Sequence, residues 1–390
     1  MIKRAIQSKI EKYLKAFPVI VLLGPRQVGK TTLAKEIQKG FKKKGSYYFD
    51  LEKPSDFDKL DNDAESILGE LQKDCVLIDE VQRKPQLFEL LRSLVDEYRK
   101  PGRFILTGSA SPELMKGSSE SLAGRVYYFN LNPIGLHEIP STIKLQKHWF
   151  RGGFPTALTS KSNDLSQSWI DSFITTYVER DIAFLYGTNI SSITMRKLWG
   201  MLAHLHGSIL NTEQLGNSLS ISATTVKRYI DFLEGAFMIR RLPPYFVNIG
   251  KRLVKSPKVY IVDNGILHFL LGIQNEKELI LSAMSGPSWE GYVISQIIYA
   301  APNRLDAYYY RTQVGAECDL VLVRGNTVKA CVEIKLSKST SPSKGFYQSV
   351  EDLSSTKHFI LVNDDVDFLN KNKIRVVGLK SFILKYLPKL

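Results

Sequence analysis

Gly24-Pro25-Arg26-Gln27-Val28-Gly29-Lys30-Thr31, continued by Thr32-Leu33-Ala34-Lys35-Glu36-Ile37, is the stretch on which the fold turns. Before it runs Pro18-Val19-Ile20-Val21-Leu22-Leu23, apolar and rich in β-branched residues, ending abruptly at glycine as a buried parallel strand does. After it comes a helical pattern. Strand, glycine loop and helix form the setting in which G-x-x-x-x-G-K-[ST] has a mechanism. Glycines let backbone amides turn inward around a phosphate, and the following helix offers its positive N-terminal end to the same anion. Residues Gly24 to Thr32 are therefore expected to cradle a triphosphate. Lys30 would reach the β- and γ-phosphates, and the Thr31 hydroxyl would ligate Mg2+.

Working outward, three more strand-like runs fit a parallel sheet: Ser46 to Leu51, Cys75-Val76-Leu77-Ile78-Asp79-Glu80, and Phe104-Ile105-Leu106-Thr107-Gly108-Ser109. A carboxylate pair closing a buried strand lies where open α/β sheets hold their ligands. Asp79 is expected to support the metal and Glu80 to polarise the attacking water. If the 104–109 strand lies between the phosphate-loop strand and the Asp79–Glu80 strand, Thr107 or Ser109 comes near the γ-phosphate. Arg125 precedes a further strand, Val126 to Phe129. It has two readings, an arginine finger acting on a neighbouring subunit's γ-phosphate or a structural ion pair.

Gly-Pro-Arg-Gln-Val-Gly-Lys-Thr-Thr, Leu-Ile-Asp-Glu-Val-Gln, Leu-Thr-Gly-Ser and Leu-Ala-Gly-Arg-Val, in this order, resemble the AAA-type P-loop ATPases of archaea and bacteria, many of which carry a C-terminal domain of unknown function. Arg151 to Pro155, Val178 to Ile182 and Lys255 to Tyr260 agree with the same family. The resemblance implies ATP rather than GTP, because the guanine-reading Asn-Lys-x-Asp box is absent. With Arg125, it also implies a homo-oligomer.

The 390 residues, 44% hydrophobic and 24% charged, are ordinary for folded protein and suggest two or three domains. Phe17 to Leu23 is far short of the roughly twenty apolar residues a spanning helix needs. Met1 to Lys15 is charged throughout, unlike a secretory signal. Three scattered cysteines, Cys75, Cys318 and Cys331, fit neither a disulfide framework nor a zinc site. A cytoplasmic protein without membrane contact is the expectation. The net charge of +14 favours polyanions. Arg240, Arg241, Lys251, Arg252, Lys255 and Lys258 form an acid-free cluster, read as a phosphate-facing surface or as a solvated face.

From Leu165 to Leu205 the pattern is helical, its aromatic stripe (Trp169, Phe173, Tyr177) reading as core, with His204 and His206 as packing residues. Asn211 to Leu219 and Ala223 to Leu233 read as two helices around a turn, followed by a strand at 238–242, a helix–turn–helix with a β-wing. As a DNA reader its second helix would present Ser222, Thr224, Thr225, Lys227 and Arg228, chiefly to the phosphate backbone. The alternative is a lid or a protein-contact module.

The last hundred residues place Glu290 on an amphipathic helix, then Glu317 and Asp319 on a strand joined through Gly325-Asn326 to a second strand bearing Glu333 and Lys335. An Asp followed by Glu-x-Lys across a hairpin, with an acid on the preceding helix, resembles the PD-(D/E)xK nucleases. That resemblance implies Mg2+ held by Glu290, Asp319 and Glu333, with Lys335 steadying the reacting phosphate. A non-cutting domain kept as a DNA clamp is the alternative. The expected fold class is α/β. A P-loop parallel-sheet ATPase core at 1–140 is followed by a helical, winged-helix middle at 141–282 and a restriction-endonuclease-like domain at 283–390. The expected function is ATP hydrolysis coupled to DNA engagement, with DNA cleavage left open.

Overall fold

The computed structural model describes residues 2–40, 45–109, 122, 124–177, 191–246, 253–302, 304–337 and 341–390. It divides into two compact units. The first holds Met1–Ile134 together with Glu179–Ile190 and Gly235–Met238; the second holds Gly135–Val178, Ser191–Glu234 and Ile239–Leu390.

The first unit is built on five strands, β1 (Val19–Leu23), β2 (Ser46–Asp50), β3 (Cys75–Asp79), β4 (Phe104–Gly108) and β5 (Val126–Asn130). They are all parallel, in the order β2-β3-β4-β1-β5. The three inner strands are buried along their whole length, which is why they read as unbroken apolar runs rather than alternating ones. Alternation is still present, between two buried faces. Val19, Val21 and Leu23 enter one cluster with Phe88, Leu91 and Leu106, while Ile20 and Leu22 enter another with Leu33, Ile37 and Ile105. Helices α1 (Gln7–Leu14), α2 (Lys30–Lys39), α3 (Pro54–Asn62), α4 (Ala64–Glu70) and α5 (Leu87–Glu97) cover the faces. The order settles one expectation: β4 lies between β1 and β3 and brings the residues at its end to the phosphate loop.

In the second unit, α6 (Leu145–Arg151), α7 (Pro155–Thr159), α8 (Asn163–Thr176), α9 (Ser192–His204), α10 (Thr212–Leu219) and α11 (Ala223–Gly235) lead into an antiparallel pair, β6 (Ile239–Leu242) and β7 (Lys258–Ile261). Helices α12 (Asn264–Leu270), α13 (Glu276–Leu281) and α14 (Ser285–Ala300) follow. A mixed sheet ends the chain: β8 (Asp306–Arg311), β9 (Glu317–Arg324), β10 (Thr327–Lys335), β11 (His358–Val362), β12 (Asp367–Leu369) and β13 (Arg375–Gly378), in the order β12-β13-β11-β10-β9-β8. β8, β9 and β10 run antiparallel in sequence. A crossover through α15 (Lys344–Leu353) then brings β11 parallel to β10. The middle and C-terminal segments share one core, since Trp149, Phe150, Tyr260, Trp289, Leu320, Val332 and Phe359 belong to a single buried cluster.

Several sequence expectations change here. The Glu290 helix is not amphipathic: from Trp289 to Ile297 every side chain except that of Glu290 is buried, because α14 runs through the shared core. The Arg151-Gly152-Gly153 segment is a structural clasp. Buried Asp263, the N-cap of α12, accepts hydrogen bonds from Gly153 N (2.7 Å), Gly265 N (2.9 Å) and Ile266 N (3.2 Å). Gly152, at φ 74°, lies where a Cβ would come 2.1 Å from Asp263 Oδ1. Burial pushes the Asp263 carboxyl up to about 6 against the pull of those N–H donors. His206 is a packing residue, held neutral by burial with its pKa down to about 3, whereas His204 is exposed on α9. Three members of the basic cluster are tied into the fold. Arg240 donates to Ser295 Oγ (3.1 Å), Arg241 pairs with Asp231 and Glu234, and Lys258 is buried. Lys255 is exposed, and Lys251 and Arg252 lie outside the described residues, as does the Val178–Ile182 segment.

Candidate active site

The phosphate loop leaves β1 at Leu23 and enters α2 at Lys30. Gly29 is the N-cap of α2 at φ 97°, a left-handed conformation that glycine adopts without strain, and no side chain caps the helix. The first-turn N–H groups therefore carry the helix's positive end with no side-chain acceptor supplied. Lys30 curls back into the loop, its Nζ donating to Gly24 O (3.1 Å), Pro25 O (2.9 Å) and Ser109 Oγ (2.8 Å), with Glu80 Oε1 at 3.9 Å. Burial lowers its pKa, and Glu80 and Asp79 oppose that shift. Such an ammonium can exchange neutral carbonyl acceptors for phosphate oxygens without being hydrated in between.

Asp79, at the end of β3, gathers hydroxyl donors. Its Oδ2 accepts from Thr31 Oγ1 (2.7 Å) and Tyr48 OH (3.2 Å), and its Oδ1 from Thr107 Oγ1. A hydroxyl and a carboxylate already in contact are the oxygen donors a hard divalent cation takes, so Thr31 and Asp79 fit Mg2+. Thr107 thereby acquires a different role from the one read in the sequence: fully buried, it pins Asp79 and donates nothing toward the loop. The hydroxyl that meets the lysine is that of Ser109, which also donates to Glu80 Oε1 (3.1 Å).

Glu80 follows β3 in a left-handed conformation, φ 56°, which swings its side chain off the strand toward the loop. Its Oε2 accepts from Gln82 Nε2, and Gln82 Oε1 in turn accepts from Ser109 N (3.2 Å). Lys30, Ser109, Glu80 and Gln82 thus form one connected set drawn from three segments. Arg26, in the loop, pairs with Glu52 beyond β2, which also has Arg83 Nη1 at 3.7 Å. Tyr48, Glu52 and Gln82 escaped the sequence reading. Gln82 stood in the quoted Asp-Glu-Val-Gln motif, but nothing local to it signals a partner at the end of β4.

Arg125 is not in this site. Val19 pairs with Val126 at the start of β1, whereas the phosphate loop leaves the other end of that strand, so Arg125 sits at the opposite end of the parallel strands. It forms a two-pronged ion pair with Asp96, Nε–Oδ1 2.6 Å and Nη2–Oδ2 2.8 Å, which is the structural alternative of the two readings. Arg125→Ala is expected to leave ATP affinity within about twofold of wild type in an equilibrium titration, since no contact of the cradle is removed. A loss of turnover that deepens with protein concentration would restore the role across a subunit boundary.

In the second unit the four nuclease-like residues are each engaged by protein groups. Glu333 accepts from Ser343 N, the N-cap of α15, at 3.1 and 3.2 Å, with Lys335 Nζ 3.7 Å from its Oε1. Asp319 Oδ2 accepts from Ile334 N (2.8 Å). Glu290 Oε1 accepts from Tyr260 OH (2.6 Å) and from Lys258 Nζ (3.2 Å). Among the described residues no group of three His, Cys, Asp or Glu could hold a metal ion. Along β9, Glu317 and Asp319 are half-buried on either side of buried Cys318, as strand alternation gives, and beyond them the pairing with β8 slips between Tyr308 and Tyr310. Burial and the neighbouring Glu290 charge push the Asp319 carboxyl up to about 8 against the pull of Lys258. As placed, these carboxylates do not fit a shared Mg2+.

The parallel sheet, the glycine loop after its inner strand β1 and the Lys30–Thr31–Asp79 cluster define an AAA-type P-loop protein, and the AAA domain family model matches residues 16–140. Two families described only as domains of unknown function, DUF8612 and DUF4143, match 142–277 and 285–382. Uncharacterized proteins of Mycobacterium tuberculosis and Mycobacterium bovis are each 41% identical over 352 residues, 90% of this chain and 78% of theirs. The chain belongs to the same family as these mycobacterial proteins. A Walker-type ATPase of Pyrococcus abyssi is similar at 14% identity over 70% of this chain and 96% of its own, with a TM-score of 0.49. No helix among the described residues is long and apolar enough to cross a membrane.

Proposed function

We propose that the protein hydrolyses ATP and uses the cycle to engage DNA. The observation that carries the first half is the convergence of Lys30, Thr31, Asp79, Glu80 and Ser109 at the carboxyl ends of β1, β3 and β4. The loop amides and Lys30 hold the β- and γ-phosphates, giving up the carbonyls of Gly24 and Pro25. Thr31 and Asp79 would hold Mg2+, whose chemistry is to neutralise charge on the phosphate oxygens. Glu80 orients a water and takes its proton as oxygen attacks the γ-phosphorus and the bond to the β-phosphate oxygen breaks, releasing ADP and phosphate. Ser109 and Gln82 fix the Glu80 carboxylate for that task.

The DNA half rests on α10, α11 and the β6–β7 pair, which we read as a winged helix. Asn211 caps α10 and Ser222 Oγ accepts from Thr225 N (3.1 Å), so Ser222 serves the turn rather than a duplex. Thr224, Lys227 and Arg228 stay exposed on α11. The nuclease-like domain enters this proposal as a DNA clamp that does not cut, a reading favoured by the buried Lys258 among its acids.

ADP release measured with and without duplex, single-stranded and branched DNA tests both halves. Mg2+-dependent hydrolysis stimulated by at least one DNA form is the expected result. Replacing Lys227 and Arg228 together by alanine should weaken DNA binding at every sequence and reduce the slope of log affinity against log salt by about 2. Hydrolysis indifferent to every DNA form, with no binding at low salt, would remove the DNA half and leave the ATPase standing.

A further inference from the structure

A lysine stands among the carboxylates of the C-terminal domain. Lys258 is only 4% exposed, and its Nζ lies 3.2 Å from Glu290 Oε1 and 3.2 Å from Glu317 Oε1. The Tyr309 ring centroid is 5.6 Å away. Burial alone would lower its pKa, but the charges of Glu290, Asp319 and Glu317 outweigh that and raise it, so the ammonium stays charged. The side chain is delivered from a held backbone. Lys258 pairs with Leu242 on β6 on one side and with Ile209 on the other. Tyr260, two residues along the same strand, donates to the same Glu290 oxygen.

We propose that Lys258 is the resident cation of this acidic pocket, taking the place expected of Mg2+ and tying β7 to α14 and β9. The ammonium donates to Glu290, one of the three carboxylates expected to hold the ion, and to Glu317 two residues before a second, Asp319, and its positive charge repels a divalent ion at close range. Asp319 is left to accept from the β10 backbone, and Glu333 is turned to the N-terminus of α15. The pocket is therefore closed to divalent metal. This gives a physical reason for the non-cutting reading of the domain, on which it builds, and it owes nothing to the ATPase site.

The test is Mn2+ binding to nucleotide-free full-length protein, followed by electron paramagnetic resonance. Asp319→Asn in the presence of Lys258 is expected to leave Mn2+ affinity unchanged; a tenfold or greater loss would mean that the wild type holds metal there and would overturn the proposal. Lys258→Ala should gain one Mn2+ site per chain, at least tenfold tighter than any in the wild type, and lose it again when Asp319→Asn is added. A folded Lys258→Ala protein, judged by near-ultraviolet circular dichroism, that gains no Asp319-dependent site also overturns it. Should Lys258→Ala not fold, the Asp319→Asn comparison decides alone. Because the readout is metal binding without nucleotide, it is separate from ATP turnover and from DNA cleavage, which the non-cutting reading itself predicts to be absent.

Discussion

Lys30→Ala is expected to weaken ATP binding by at least about a hundredfold, read as loss of the nucleotide-induced rise in melting temperature and by direct titration. The buried ammonium donates to two loop carbonyls and Ser109 and stands ready to exchange them for phosphate oxygens. Charge-assisted contacts of this kind contribute about 1.5–3 kcal/mol each, and every 1.4 kcal/mol is about tenfold in affinity. Alanine also leaves Gly24 O and Pro25 O without their donor, which loosens the loop whose amides make the cradle. Wild-type affinity in this variant would mean that the loop does not grip a triphosphate, and the proposed ATPase would fall with it.

Glu80→Gln separates binding from chemistry. The amide keeps the shape and can still meet Ser109 and Gln82, so ATP affinity should remain within about threefold of wild type. Turnover should drop by roughly a hundred- to ten-thousandfold, the usual worth of a positioned general base. Single-turnover phosphate release measures it. A variant that hydrolyses ATP at near wild-type rate would shift the base role elsewhere. If the Glu80→Gln protein still needs ATP for an undiminished DNA response, a nucleotide-controlled switch replaces a hydrolysis-driven cycle.

The site was legible in one dimension where its chemistry is local. The loop from Gly24 to Thr32 carries its own backbone signal, and the runs ending at Asp79 and at Ser109 advertise themselves as buried strands bearing polar ends. Thr107 and Ser109 show where that legibility stops. Two residues apart in one strand-like run, they were equivalent in the sequence, yet one is spent pinning Asp79 and the other, just past the end of β4, meets Lys30 and Glu80. Tyr48, Glu52 and Gln82 gave no warning because their partners come from other strands and loops. Arg125 stayed open between two readings for a similar reason: a basic residue before a strand does not announce that Asp96 of α5 will meet it.

The C-terminal domain makes the contrast sharper. Glu290, Glu317, Asp319, Glu333 and Lys335 could be set on a helix and a hairpin from periodicity and turn chemistry alone. Lys258 comes from a strand thirty-two residues before Glu290, and in the sequence it was one more member of a basic cluster read as phosphate-facing or solvated. Periodicity and loop chemistry are short-range properties, so strands, helices and the phosphate cradle follow from neighbours along the chain. Which charges meet is decided by strand order and helix packing, since an ammonium buried beside carboxylates interacts through a medium of low dielectric and is held only where distant segments have been brought together. The amino-acid order determined that this chain builds a nucleotide loop on a parallel sheet. Only the tertiary structure decided which hydroxyl serves that loop and which cation the second acidic cluster keeps.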